Sequence, residues 1–294
     1  MSKKISISLL LLCLGLFSQA QSYQKMPQGI KATVQGMDVE VAFYTPSIVR
    51  VYKTPEGSSY DKKSLVVMKE PEETSVEFAM NKEYIRLKSD ALQVEVNSST
   101  GGINFYDATG KVLLKDKDYG TQFTPFDDAG IFSYNVRQAF LLDKDEVIYG
   151  LGQQQTGKVN QRNQKLFLRN KNMSICIPFI HSVKGYGLYW DNYSPTTFTD
   201  NPQEMSFDSE VGDCADYYFI YGSNADGVIA GVRDLTGQAP LYPLGHLDSG
   251  SAASVIRVRM NCVKWLMNTV IGKFLWMESF RIGSIGDVTL TGIP

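Results

Sequence analysis

KATVQGMDVEVAFYTPSIVRVYK, residues 31–53, is the stretch on which the fold reading rests. Ala32 and Val34, then Val39, Val41 and Phe43, then Ile48, Val49 and Val51 supply apolar side chains at mostly alternate positions, with Gly36 and Pro46 between the runs. Successive side chains of a strand point to opposite faces, so this pattern describes strands with one face buried, and β-branched and aromatic residues suit that face. The pattern recurs along the chain in Val76-Phe78-Met80, Ile85-Leu87 and Leu92-Val94-Val96. A turn at 98–102 precedes Ile103-Phe105, and another at 107–110 precedes Val112-Leu114. Short strands about 8 to 12 residues apart, joined by Gly, Asn, Asp and Ser turns, predict an all-β sandwich rather than βαβ units. The one helical stretch, 226–235, sets Val228, Ile229 and Val232 on one face and reads as a linker.

The 294-residue chain is 43% hydrophobic and 12% aromatic, enough for a core in one large or two modest domains. With 29 basic and 31 acidic residues its net charge is -2, which leaves no electrostatic footprint for nucleic acid or anionic lipid. Lys3-Lys4, an apolar run from Ile5 to Phe17, and Ser18-Gln19-Ala20 have the order of a secretory signal peptide over 1–20, cleaved after Ala20. The expected location is therefore secreted or periplasmic. The alternative is a membrane anchor, but the run is shorter than the roughly 20 apolar residues that cross a bilayer. Cys13 lies inside the run, so a lipid attachment site is not evident. Cys176, Cys214 and Cys262 remain, an odd number without CxxC or Cys/His ligand spacing, and no metal is expected. Cys176 and Cys214 read as buried thiols, with a disulfide left open.

Aromatics crowd residues 167–221, among them Phe179, Tyr186, Tyr189, Trp190, Tyr193 and Tyr217. Beside Gly, Asn and Asp such rings can stack on sugar faces while amides take the hydroxyls, but most serve as sandwich core.

Glu146-Val147-Ile148-Tyr149-Gly150-Leu151-Gly152-Gln153 resembles the YGLGE/Q segment of family-31 glycoside hydrolases, the α-glucosidases and α-xylosidases. The resemblance continues through Gln155-Thr156-Gly157-Lys158-Val159-Asn160, Ile177-Pro178-Phe179 and Gly185-Tyr186-Gly187-Leu188-Tyr189-Trp190-Asp191-Asn192. It ends with Tyr217-Tyr218-Phe219-Ile220-Tyr221-Gly222 and Leu235-Thr236-Gly237-Gln238-Ala239-Pro240-Leu241. Each string is weak alone, and six in the family's order are strong. Gln153 and Gln155-Thr156-Gly157 look closer to the α-xylosidase-like members.

The resemblance implies a mainly β, galactose-mutarotase-like β-sandwich over 21–225, a linker over 226–244, and a catalytic (β/α)8 barrel that this chain lacks. For the intact parent it implies hydrolysis of α-xylosyl or α-glucosyl oligosaccharides, with no metal or organic cofactor. The loop at 187–192 or that at 153–160 would line the pocket rim, so Gln153, Trp190, Asp191 and Asn192 are the expected substrate-binding residues. Retaining hydrolysis needs two carboxylates about 5 Å apart, which the family takes from its barrel, so none is assigned here. Asp191, Asp200, Asp213 and Asp216 read as solvated caps or turn formers. Two other functions stay open. A free-standing carbohydrate-binding module would expose aromatics on a polar face, whereas an orphaned sandwich would expose an apolar face. Mutarotase-like epimerase chemistry would need His and carboxylate partners, and only His181 and His246 are present.

Residues 245–294 change character, with Met260, Met267, Met277, Trp265 and Trp276 and no strand alternation. One reading is an amphipathic helix over 260–277. The other takes the last base of each codon with the first two of the next. Trp276-Met277 then forces GAT, Asp, and Met277-Glu278 forces GGA, Gly. Residues 273–287 can become Ile-Pro-Leu-Asp-Gly-Ile-Ile-Gln-Asp-Trp-Gln-Tyr-Trp-Gly, and 245–250 can become Trp-Thr-Phe-Gly-Phe-Trp. Both strings resemble the family's first barrel strands, so the expectation is a truncated, inactive chain with an out-of-frame tail.

Overall fold

The computed structural model describes residues 23–239, which bear out the mainly β expectation. The expected signal peptide over 1–20 and the expected out-of-frame tail over 245–294 lie outside the described residues. The first strands are β1 (Tyr23–Met26), β2 (Gly29–Val34), β3 (Met37–Thr45), β4 (Ile48–Pro55), β5 (Glu77–Met80) and β6 (Tyr84–Lys88). Next come β7 (Leu92–Asn97), β8 (Ile103–Asp107), β9 (Val112–Asp116), β10 (Gln122–Asp128), β11 (Ile131–Leu141) and β12 (Ile148–Gly150). The last are β13 (Lys165–Leu168), β14 (Phe179–Ser182), β15 (Tyr186–Trp190), β16 (Thr196–Asn201), β17 (Glu204–Gly212) and β18 (Ala215–Tyr221), followed by helix α1 (Ala225–Thr236).

The strands form two antiparallel sheets. One runs β1-β2-β3-β4-β18-β15-β14-β12, and the other runs β13-β16-β17-β11-β9-β8-β7-β6-β5 with β10 paired to β11. The alternation seen at 31–53 becomes β2, β3 and β4, with Val39 opposite Lys53 and Val41 opposite Val51. Val39, Val41, Phe43, Val49 and Val51 are all fully buried between the sheets. Phe105 of one sheet stacks on Phe219 of the other, with centroids 4.1 Å apart, and Tyr186 also stacks on Phe219 at 5.2 Å. Truncating such a buried Phe to Ala costs about 3–5 kcal/mol.

The helix packs on the outer face of the first sheet, with Leu235 and Val232 against Tyr44, Ile48, Tyr218 and Ile220. Asn224 caps it by accepting from the Gly227 amide, and its buried residues are Val228 and Leu235. Ile229, read as part of the inner face, is exposed instead. Gly187 makes this approach feasible, because a Cβ there would lie 2.6 Å from the Phe179 ring and 2.8 Å from Val228. The Leu235 carbonyl closes the layer by accepting the amides of Met68 and Lys69. Among the described residues no helix is long and apolar enough to cross a membrane.

Candidate functional site

The YGLGQ string leaves β12 through three consecutive positive φ values: Gly150 at 119°, Leu151 at 65° and Gly152 at 78°. The reason is steric, since a Cβ on Gly150 would lie 2.2 Å from the Phe179 carbonyl oxygen and one on Gly152 would lie 2.1 Å from that of Ile175. This close approach joins two loops. The Leu151 amide donates to Phe179 O at 2.8 Å, and Gln153 and Ile175 exchange backbone hydrogen bonds at 2.9 and 3.1 Å. Loops 152–160 and 169–177 thus make one continuous edge. Asn170 Oδ1 accepts the Cys176 amide at 2.7 Å, which shapes the second loop.

The edge exposes apolar side chains: Val159 is 75% exposed, Met173 63%, Ile175 54% and Ile177 51%. Gln153 is exposed beside them. A buried polar cluster holds the edge from behind. Glu146 accepts from Ser182 Oγ at 2.6 Å, Tyr186 Oη at 2.5 Å and Lys184 Nζ at 2.9 Å. Burial, reinforced by the Glu146 charge, holds the Tyr186 hydroxyl well above its ordinary pKa, so it stays a donor. Arg162 donates to Asp200 Oδ2 at 3.0 Å, to Asp143 O at 2.9 Å and to Glu146 O, fixing the start of β13 to the base of the edge.

Of the four residues expected to bind substrate, the structure exposes Gln153 and sets the other three in the framework. Trp190 is fully buried, stacks on Phe207 at 5.8 Å and donates Nε1 to Ser209 Oγ at 2.9 Å, so it presents no face to a ligand. Asn192 is half-buried, donates to Val211 O at 3.2 Å and caps Ser194. Asp191 is buried against Lys62.

That lysine corrects the reading of the acidic residues. Asp191, Asp200 and Asp216 are buried, not solvated. Lys62 Nζ lies 2.9 Å from Asp191 Oδ2 and 3.2 Å from Asp216 Oδ2, and donates to the Asp191 carbonyl. Arg50 completes the group with two 2.9 Å bonds to Asp216. The charges need each other, because an unpaired ion at such depth costs several kcal/mol. Burial alone would lower the Lys62 pKa, yet Asp216 and Asp191 hold it above its ordinary value. Asp191 and Asp216 thus converge on one buried ammonium, which makes them an internal ion cluster rather than an open acid–base pair. Asp213 differs, being half-buried and accepting from Ser133 Oγ at 3.0 Å.

Cys214 is buried as expected, Cys176 is only half-buried, and neither is in a disulfide among the described residues. No set of His, Cys, Asp and Glu able to hold a metal occurs among the described residues. His181 faces outward from β14, stacked on Tyr149 at 6.3 Å, and hydrogen-bonds no carboxylate among the described residues. His246 lies outside the described residues.

The model of the glycosyl hydrolase 31 N-terminal galactose mutarotase-like domain matches residues 38–199. The chain belongs to this family. The α-xylosidase of Saccharolobus solfataricus is 34% identical over 220 residues, covering 71% of this chain and 30% of that enzyme. Alpha-glucosidase 2 of Bacillus thermoamyloliquefaciens is 26% identical over 230 residues, covering 72% of this chain and 28% of the relative. The chain thus spans about 30% of the length of these curated relatives. Among solved structures, the GH31 α-xylosidase of Xanthomonas citri superposes with a TM-score of 0.70 at 18% identity, covering 75% of this chain and 41% of that one. A soil-metagenome GH31 α-xylosidase complexed with xylose gives 0.68 at 21%, covering 76% and 35%. At such identities these two establish the shared fold of the GH31 sandwich.

The 169–177 loop, whose Asn-Met-Ser run carries no period of two, leaves no signal in the sequence, and Lys62 leaves none either. Lys53 did leave a signal: it occupies the same face as Val49 and Val51, where an alternating strand points into the core.

Proposed function

We propose that residues 23–239 are the first domain of an α-glycosidase acting on α-xylosyl or α-glucosyl residues. Its contribution is the edge built from loops 152–160 and 169–177. Gln153 offers an amide to sugar hydroxyls there, while Trp190, Asp191 and Asn192 keep the strand behind it rigid. The observation that carries this reading is the exposed apolar edge, which a free-standing module would have no cause to leave uncovered. The family membership and the 34% identity to an α-xylosidase support the substrate class. The catalytic carboxylates belong to a barrel outside the described residues, because the buried pair here is consumed by Lys62.

The reading extends to the gene. The barrel is encoded one base out of frame from about codon 245, and residues 245–294 are the displaced translation. Between the two strings noted above, Met260-Asn261 and Met267-Asn268 each force GAA, Glu, and the displaced frame crosses 251–272 without an obligatory stop. Residues 1–20 direct export, with Gln21 as the mature N-terminus.

The test compares this chain with a version whose frame is restored, using nitrophenyl α-xyloside and α-glucoside. The restored enzyme hydrolyses one of them, Gln153→Ala raises its KM with kcat little changed, and the present chain is inactive. Hydrolysis by the present chain would overturn the proposal.

A further inference from the structure

Away from the Gln153 edge, a cleft of about 350 Å³ is lined by residues from both sheets. It is formed by the β2–β3 turn, the end of β4 and the β10–β11 pair, none of which carries the Gln153 edge. Tyr119, Phe123 and Tyr134 line it together with Gln35, Met37 and Thr121. Phe123 and Tyr134 meet edge to face at 5.9 Å, and Tyr119 stands at the mouth, 61% exposed.

Two features set this cleft apart from a packing defect. First, Gln35 and Tyr119 both adopt φ of 54°, a left-handed conformation that non-glycine residues, and bulky ones above all, seldom take. Tyr119 is held there by a tight turn in which the Gly120 amide donates to Lys117 O at 2.8 Å. Asn or Gly would suit that position better, so a tyrosine is kept at a cost of the kind seen at functional sites. Second, the polar lining is uncharged and available. Gln35 spends Nε2 on Ser99 O, leaving its Oε1 free, and the Tyr119 and Tyr134 hydroxyls make no hydrogen bond among the described residues. At the floor, Thr121 Oγ1 is committed to Lys53 and Gln138. Lys53 is in turn neutralised by Asp116, so no net charge faces the cleft.

Aromatic faces with unpaired hydroxyls and an amide, in a space that holds one ring, match a neutral polyol with an apolar face. We infer that this cleft binds a single pyranose ring, separately from the site that the Gln153 edge serves. The inference rests on the lining and not on the glycosidase reading.

The test is saturation-transfer NMR on the full chain with millimolar methyl α-xyloside and methyl α-glucoside, alongside thermal unfolding. The wild type transfers saturation to one or both sugars, and Tyr134→Ala weakens binding about tenfold, the loss expected for one ring contact. Tyr119→Asn relaxes the strained turn, so it loses binding while its melting temperature holds or rises. Ile229→Ser, on the exposed side of the helix, leaves the transfer unchanged. No transfer from either sugar, or transfer that survives both tyrosine substitutions, overturns the inference. Transfer lost only in Gln153→Ala also overturns it and credits the other edge.

Discussion

Replacing Lys53 with Met tests how the two sheets are held together. Lys53 of β4 and Asp116 of β9 are each 1% exposed, and their charged atoms are 2.7 Å apart. Tyr217 Oη donates to both Asp116 oxygens at 3.0 and 3.1 Å, and Lys53 also reaches Thr121 at 2.9 Å and Gln138 at 3.3 Å. Burial raises the Asp116 pKa, while Lys53 and then Tyr217 pull it back. Met keeps the stem's volume and removes the ammonium, so the loss is electrostatic: Asp116 stays buried with only Tyr217 and backbone support. Breaking a pair this deep costs about 3–5 kcal/mol of the roughly 5–15 that a domain has. At this size each kcal/mol lowers the melting temperature by about 2–4 °C. Removing both charges, with Asp116→Leu and Tyr217→Phe added so that no hydroxyl is stranded, recovers most of the loss, since apolar replacement of a buried pair is often neutral or better. Thr121 and Gln138 remain bonded to each other at 2.6 Å in that background. Urea unfolding followed by far-UV circular dichroism gives the numbers. A Lys53→Met cost below about 1 kcal/mol, or a triple variant no more stable than the single, refutes the reasoning.

Other substitutions reach different parts of the molecule. His181 has a buried Nε2 with no partner, and burial lowers its pKa below the ordinary value of about 6.5. The unfolded chain therefore binds the proton more readily, so stability is complete above that value and falls as pH drops through it. Urea midpoints at mildly acidic and neutral pH should differ more in the wild type than in His181→Gln, and equal differences would contradict this. Gly187→Ala drives a Cβ into Phe179 and Val228 beneath the helix, an overpacking that costs about 1–3 kcal/mol. Increased amide exchange confined to residues 225–236 would show that the helix gives way, and an unchanged exchange pattern would show that it does not.

The sandwich was legible because its strands alternate: residues 31–53 fold into β2, β3 and β4 where the pattern places them, and turns at 98–102 and 107–110 separate β7, β8 and β9. The site was less legible. Trp190 looked like a sugar platform because aromatics with Asp and Asn can be one, yet the same string makes a central strand, and burial decides between the two uses. The acids at 191, 200 and 216 were misread because their partners, Lys62, Arg162 and Arg50, are brought in by the fold. Residues 38 to 166 positions apart in sequence leave no local spacing to read. Gly150 and Gly152 permit the close backbone approach, but nothing in their spacing names 175–179 as the neighbour.

Sequencing the gene across codons 240–300 and downstream bears most directly on the proposal that this sandwich is the first domain of an interrupted α-glycosidase. The account predicts one missing base near codon 245, whose restoration opens a frame running through a complete barrel with two catalytic carboxylates. A confirmed in-frame tail with no such frame behind it would contradict the account.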